Sequence, residues 1–168
     1  MDILVTDDTL LWNGRTVRCA VGRGGVRVDK REGDGATPAG RFPLVHVWYR
    51  PDRIPPPSGG LPAAAIASDM GWCDDPADPA YNQPVRLPFA ASHERLWRDD
   101  GLYDLLAVIG YNARPVVPGR GSAIFLHVAR PDFGPTEGCV ALALADLAEL
   151  LAHCRPGDTI SIAAPGGA

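Results

Sequence analysis

The stretch Thr136-Glu137-Gly138-Cys139-Val140, together with the segment that follows it, decides the fold class. Apolar residues at positions 144, 147, 148, 150 and 151 recur at helical spacing and predict a helix over Leu142–His153, which Arg155-Pro156-Gly157 ends. The alternating segment Thr159–Ala163 predicts a closing strand. We therefore expect a helix immediately after Cys139, with the thiol at its N-terminus, inside a domain that is otherwise mostly β.

Strand signals fill the chain upstream of this segment. Apolar or alternating runs predict strands over Ile3–Val5, Leu10–Trp12, Arg15–Val21, Arg41–Tyr49, Leu105–Tyr111 and Ala123–Val128. Nineteen glycines and seventeen prolines favour turns over long helices. A long loop-rich insertion occupies residues 50–90, and its embedded aromatic residues favour an ordered, functional loop.

Length and composition predict one globular domain over residues 1–164 with a short C-terminal tail at 165–168. The net charge of −4 offers no attraction for nucleic acid or an anionic membrane, so we expect no nucleic-acid partner. No apolar run is long enough to predict a transmembrane segment, and the acidic start differs from a secretory signal. The oligomeric state stays open at this point.

Four cysteines lie far apart in sequence: Cys19, Cys73, Cys139 and Cys154. Their spacing matches no common metal pattern, so we predict neither a metal nor a cofactor. Cys139 differs from the others because a glycine precedes it and His127 lies twelve residues upstream. An imidazole can take the proton of a thiol, and a glycine leaves backbone amides open to a carbonyl oxygen. These residues predict cysteine acyl-transfer chemistry.

Three motifs in order resemble the YkuD-type L,D-transpeptidases of bacterial cell walls. They are Gly33-Asp34-Gly35-Ala36-Thr37-Pro38-Ala39-Gly40-Arg41-Phe42, then Leu126-His127, then Thr136–Val140. In that family a GD..TP.G.F segment precedes a histidine and an [ST]xGC nucleophile motif. This chain has Ala141 where the family commonly has arginine, and its interval between His127 and Cys139 is short. Both departures place it in a divergent branch of small Gram-negative members.

The resemblance implies a β-sandwich catalytic domain that acts on peptidoglycan stem peptides. It assigns Cys139 as nucleophile and His127 as base, with a backbone carbonyl orienting the histidine. The amides of Gly138 and Cys139 form part of the oxyanion hole, and Thr136 occupies the hydroxyl position of the motif. The cysteine attacks an L,D-peptide bond and releases the terminal D-amino acid. The acyl group then passes to a diaminopimelate-type amine on a neighbouring stem.

Further residues are candidates for substrate binding because a stem peptide carries ammonium and carboxylate groups. The candidates are Thr136, Glu137, Trp72, Asp74, Asn82, Tyr111 and Asn112, with Arg114 or Arg130 for carboxylates. The alternative interpretation is that the aromatic residues belong to the core and the asparagines form turns. Glu137 either binds a substrate amine or is a solvated charge. The stretch 91–97 either lines the cleft or caps a short helix.

Other outcomes remain open beside transpeptidation. If water resolves the thioester, the protein is an L,D-carboxypeptidase, and a non-catalytic wall-binding domain is a further alternative. A papain-like hydrolase fits less well, since in those enzymes the cysteine precedes the histidine. The expected polymer lies outside the cytoplasmic membrane, so we expect the periplasm or cell envelope, although no export signal is visible.

Overall fold

The computed structural model describes residues 1–166 of the chain, which contain fourteen strands and one helix. In chain order they are β1 (Asp2–Thr6), β2 (Thr9–Trp12), β3 (Arg15–Ala20), β4 (Val26–Arg27), β5 (Thr37–Pro38), β6 (Gly40–Tyr49), β7 (Ala63–Ala65), β8 (Met70–Cys73), β9 (Pro84–Arg86), β10 (His93–Arg95), β11 (Leu105–Ile109), β12 (Phe125–Val128), β13 (Val140–Leu142), α1 (Leu144–His153) and β14 (Thr159–Ile162). The prediction of a mostly-β, sandwich-like fold with one principal helix after the nucleophile is confirmed.

Nine strands form the main sheet, in the order β11-β12-β13-β3-β2-β1-β14-β6-β7. The long strand β6 pairs with β14 through residues 40–43 and with β11 through residues 44–49. Because β6, near one end of this order, also pairs with β11 at the other end, the sheet folds back on itself and encloses a core.

Alternation along the strands fills this core. Ile3 and Val5 of β1 are fully buried, as is Ile160 of its parallel partner β14, while the residues between them face outward. Helix α1 adds Leu147 and Leu150 to the same apolar cluster. The helix covers one face of the sheet and stabilises it by burying its apolar stripe.

The insertion, together with the residues that follow it, folds into an ordered small sheet. Strands β8, β9 and β10 form a three-stranded sheet in the order β10-β8-β9. A second apolar cluster, which includes Trp72, Leu96 and Tyr103, packs this small sheet against Phe125 of β12. The stretch 91–97 therefore contains a strand rather than a helix cap, and it lies close to the strand that carries His127.

The prediction that a helix begins directly after Cys139 is wrong. Strand β13 follows the cysteine, and α1 begins only at Leu144. The three residues of β13 are fully buried and pair in parallel with β12 and antiparallel with β3, so neighbouring strands satisfy their backbone groups. The thiol is therefore not at a helix N-terminus and gains nothing from a helix dipole.

Two strand ends differ from the predicted ones by two residues, and the other predicted strand ends by at most one. Strand β12 begins at Phe125 because Ala123 has a φ of +53°, which is outside the extended region. Strand β11 ends at Ile109, two residues before the predicted end. In the predicted tail, residues 167 and 168 lie outside the described part, and the division into domain and tail stays a prediction.

Within residues 1–166, no helix has the length and apolar character that crossing a bilayer requires.

Candidate active site

Neighbouring strands place the thiol and the imidazole on one face of the sheet. In the parallel pair β12–β13, His127 lies opposite Ala141, and Cys139 precedes β13 by one residue. Side chains two residues apart share a face, so Cys139 and His127 are diagonal neighbours. Both line one cavity of about 380 Å³, and their exposed fractions are only 7% and 6%.

The backbone of the residues before β12 and of β12 itself holds the Cys139 sulfur. The Phe125 N–H donates to Sγ at 3.3 Å, and the thiol donates to the Ala123 carbonyl oxygen at 3.3 Å. Among residues 1–166, no hydrogen bond joins Sγ to the imidazole ring. The thiol is thus hydrogen-bonded to backbone groups and not to the imidazole of His127.

The imidazole of His127 is fixed in one tautomer. Its Nδ1 lies 2.8 Å from the Val128 carbonyl oxygen, which can only accept, so Nδ1 carries the proton and Nε2 keeps its lone pair. The ring of Tyr103 packs edge-on against the imidazole, with 5.3 Å between ring centroids. A backbone carbonyl thus orients the histidine and leaves Nε2 as the basic nitrogen.

Both reactive groups are neutral at pH 7. Burial, together with the charge of Glu94, raises the pKa of the Cys139 thiol to about 12. Burial lowers the pKa of His127 to about 4, and the nearby guanidinium of Arg98 lowers it further, whereas the Val128 carbonyl opposes the shift. The free site therefore holds a thiol and a neutral imidazole, not a thiolate–imidazolium pair.

The backbone conformation of residues 136–139, the loop that carries Cys139, requires a glycine at position 138. The φ of Gly138 is +134°, and a Cβ there would lie 2.8 Å from the Ala36 carbonyl oxygen. Its N–H donates to Thr136 Oγ1 at 3.1 Å, and the Thr136 hydroxyl donates to the Cys139 carbonyl at 2.7 Å. The Cys139 N–H has no hydrogen-bond partner among residues 1–166. One of the two expected oxyanion donors is thus free, while the other is engaged.

The segment 33–42 supports this loop from below. The Thr37 hydroxyl donates to the Cys139 carbonyl at 3.3 Å and accepts from the Gly22 N–H at 2.8 Å. Asp34 accepts from Lys30 Nζ and from the Ala36 N–H, each at 2.8 Å. The first motif therefore fixes the backbone around the cysteine.

Four of the substrate-binding candidates lie behind the cavity and contact one another. The amide of Asn82 accepts from Trp72 Nε1 at 3.0 Å and donates to the carbonyl oxygens of Tyr111 and Asn112. None of these four lines the cavity. Asn82 also accepts from the Ala123 N–H at 3.1 Å. The network therefore positions Ala123, whose carbonyl oxygen accepts the hydrogen bond from the Cys139 thiol.

Tyr111 and Asn112 have local partners as well. The Tyr111 hydroxyl donates to the Arg120 carbonyl at 2.6 Å, and Asn112 bonds to backbone groups of Val117 and Gly121. These contacts close a loop and agree with the alternative interpretation of the asparagines as turn residues.

The remaining candidates line the cavity: Thr136, Asp74 and Glu137. Glu137 is exposed and pairs with Arg23 at 2.8 Å, a surface contact that contributes little to stability. Arg130 also lines the cavity and is exposed, whereas Arg114 does not line it.

The stretch 91–97 contributes His93 and Glu94 to the cavity lining, but sequence reasoning missed the charged wall that the segment after the insertion forms with Glu94, Arg98 and Tyr103. The Tyr103 hydroxyl donates to Glu94 Oε1 at 2.5 Å, and Arg98 lies 3.6 Å from the same oxygen and stacks over the Tyr103 ring. These residues carry no motif, and Glu94 and Tyr103 meet where Tyr103 and Trp72, the β8 partner of Glu94, both pack against Phe125. Among residues 1–166, no three His, Cys, Asp or Glu side chains are grouped to hold a metal ion.

Comparison with known proteins identifies the family. Residues 1–162 match the sequence model of YkuD, described as an L,D-transpeptidase catalytic domain. No curated protein and no solved structure matches the chain. The fold and the family match define a cysteine-dependent enzyme of the transpeptidase type. The chain belongs to the YkuD family of L,D-transpeptidase catalytic domains, which confirms the resemblance of its motifs, and membership supports activity on peptidoglycan.

Proposed function

We propose that this protein is a peptidoglycan L,D-transpeptidase that transfers a stem-peptide acyl group through Cys139 to a diaminopimelate-type amine. The observation that carries the proposal is a free thiol and an imidazole in one cavity, with Nε2 of His127 and the N–H of Cys139 both without a hydrogen-bond partner among residues 1–166. A nucleophile, a base and an oxyanion donor are thereby available at one place.

The first half-reaction forms a thioester. As the thiol leaves the Ala123 carbonyl, His127 Nε2 takes its proton, and Sγ attacks the donor carbonyl carbon. The developing oxyanion accepts from the Cys139 N–H. The imidazolium then gives its proton to the departing amine as the peptide C–N bond breaks, and the terminal D-amino acid leaves.

The second half-reaction resolves the thioester. The acceptor amine loses a proton to His127 as its nitrogen attacks the thioester carbonyl, and the C–S bond breaks. The sulfur regains a proton from the imidazolium, which restores the neutral pair. Burial makes a free thiolate costly, so proton transfer accompanies each attack rather than preceding it.

The charged groups of the cavity support recognition of a zwitterionic stem peptide. Asp74 and Glu137 are the acidic candidates among those named from sequence, and Arg130 is the exposed cation available for a carboxylate. Thr136 acts through the loop, because both partners of its hydroxyl are backbone groups of residues 138 and 139.

Product analysis with defined muropeptides tests this function. Wild-type protein incubated with a tetrapeptide muropeptide should yield a crosslinked dimer and a free D-amino acid by mass spectrometry. Cys139→Ala should yield neither. Cys19→Ala is the matched control, because Cys19 is also free and buried, with a pKa raised to about 12, yet lies outside the cavity. It should retain activity.

The same experiment separates the alternatives. A trimmed tripeptide without a dimer would make the protein an L,D-carboxypeptidase. Binding of muropeptides without any product would leave a wall-binding domain. Equal activity in wild type and Cys139→Ala would overturn the cysteine mechanism.

The substrate also sets the expected location. We propose that the protein works in the periplasm or cell envelope, where peptidoglycan lies. Immunodetection in fractions of the source cells checks this, and recovery in the cytosolic fraction alone would contradict it.

A further inference from the structure

Glu94 lies in the cavity wall with one oxygen engaged and the other available. It belongs to β10, opposite Trp72 of β8. Tyr103 and Arg98 both contact Oε1, whereas no hydrogen bond reaches Oε2 within residues 1–166. The carboxylate is therefore held in place without being saturated.

A second carboxylate in the same cavity has an unsatisfied oxygen. Asp74 Oδ1 is buried and has no hydrogen-bond partner among the described residues. Asp74 follows β8 directly, and its N–H is fixed on the Ser92 carbonyl just before β10. A buried, unpaired carboxylate oxygen is costly, and a bound cationic group would remove that cost.

The nearby cations are mostly engaged elsewhere. Arg98 forms a double contact with Asp100, and Lys30 pairs with Asp34 at 2.8 Å. Of the three cations that line the cavity, only Arg130 has no side-chain partner among residues 1–166, and it is exposed. The lining cations therefore leave Glu94 Oε2 and Asp74 Oδ1 available to a cationic ligand.

We propose that Glu94 receives an ammonium group of the substrate and thereby selects cationic groups for the position beside Cys139. An ammonium has three donors, which match Glu94 Oε2, Asp74 Oδ1 and a further acceptor or water. The identity of the ligand as a stem-peptide amine rests on the proposed function, whereas the charge preference is a property of the cavity.

The same contact links binding to activation of the thiol. After burial, the charge of Glu94 is the largest influence that raises the pKa of Cys139. Burial raises the pKa of Glu94 itself, whereas the hydrogen bond from the Tyr103 hydroxyl and the charge of Arg98 favour its carboxylate form. An ammonium at Glu94 offsets the repulsion and makes the thiol proton easier to remove.

Charged thiol reagents test the preference without any peptidoglycan. Aminoethyl methanethiosulfonate is cationic, and sulfonatoethyl methanethiosulfonate is anionic; each forms a mixed disulfide with Cys139 and releases methanesulfinate. The ratio of their rates, read by peptide mapping at Cys139 and divided by the ratio for free cysteine, reports the charge that the cavity accepts. We expect about tenfold preference for the cation in the wild type.

Variants assign this preference to Glu94. Glu94→Gln should lower the ratio at least about fivefold. Glu149→Gln, an exposed change on α1, is the matched control and should leave it unchanged. Tyr103→Phe keeps the Glu94 charge and should keep the preference.

An unchanged ratio in Glu94→Gln would overturn the proposal, and so would a wild-type ratio at or below that of free cysteine. The second criterion decides the matter even if Glu94→Gln does not fold. A cation preference that depends on Glu94, in a protein that never turns over muropeptides, would sink the proposed function and leave this inference standing.

Discussion

The two sides of the cavity are built by different means. We call Thr136, Gly138, Cys139 and His127 the cavity floor, and Glu94, Arg98 and Tyr103 the cavity wall. Hydrogen bonds to backbone groups hold the floor. The Cys139 carbonyl oxygen, for example, accepts from the hydroxyls of Thr37 and Thr136. Ion pairs and ring contacts hold the wall.

This difference separates two roles. In the proposed mechanism the floor fixes the positions of the reacting atoms, and small displacements there should lower the rate strongly because catalysis depends on orientation. The wall sets the charge around those atoms, and its contacts are partly exposed and individually weaker. Substitutions in the floor should therefore abolish activity or unfold the protein, whereas substitutions in the wall should change selectivity and stability by smaller amounts.

The largest effect is expected for substitution of His127, the proposed general base. His127→Gln should lower kcat/KM for muropeptide turnover about 10³-fold, because it removes the nitrogen that takes the thiol proton in the proposed mechanism. His46→Gln is the matched control, since His46 stacks on Trp48 and does not line the cavity, and it should stay within about threefold of wild type. Equal losses in the two variants would erase the distinction between base and core histidine.

The next largest effect concerns the backbone of the floor. Gly138→Ala should lower the free energy of unfolding by about 3 kcal/mol or more in urea titrations, because left-handed strain is added to a backbone clash. Gly157→Ala is the control, since Gly157 also has a positive φ, +95°, but a Cβ there meets nothing within 4 Å. If both variants lose the same amount, the close approach to Ala36 has no role.

The buried imidazole of His127 should also make the free energy of unfolding depend on pH. The folded pKa of His127 is about 4, against an ordinary value of 6.5, so the unfolded chain binds more protons between these values. The free energy of unfolding should therefore fall as pH drops from 6.5 to 4, by up to about 3 kcal/mol.

The slope of stability against pH tests this directly. His127→Gln should flatten it, and a smaller slope should persist from His46, whose pKa burial also lowers. An identical slope in wild type and His127→Gln would show that the imidazole titrates normally.

The smallest effect is expected in the wall. Tyr103→Phe keeps the ring against His127 but removes the hydrogen bond to Glu94, so thermal unfolding should show a loss of about 1–2 kcal/mol. Activity should remain within about tenfold of wild type, while Tyr103→Leu, which also removes the ring, should lose more. A Tyr103→Phe variant as inactive as His127→Gln would place the wall inside the catalytic machinery.

The same contrast explains what the sequence reveals. The floor could be predicted because its chemistry requires specific residue types at close spacing. These are a thiol, a glycine directly before it, a hydroxyl three residues before it and a histidine nearby. The wall could not, because Glu94 and Tyr103 meet only once Tyr103 packs against Phe125 of β12. Charged residues in a loop-rich segment give no periodic signal that predicts such a meeting.

The wrong helix start has a related cause. Ala141 and Leu142 are apolar and continue the helical pattern backward, but strand partners on both sides take their backbone groups. A three-residue strand is too short to show alternation of its own. Likewise, the hydrogen-bonding groups that make Trp72 and Asn82 candidates for substrate binding pair with each other in a network behind the cavity rather than inside it.

The central claim is that the sulfur of Cys139 carries the acyl group, and trapping the thioester tests it most directly. Wild-type protein mixed with a tetrapeptide muropeptide and quenched in acid should gain the mass of the donor without its terminal D-amino acid, mapped by peptide analysis to Cys139. Cys139→Ala should gain nothing, and Cys19→Ala should label like wild type. An adduct on another residue, or turnover that persists in Cys139→Ala, would contradict the account.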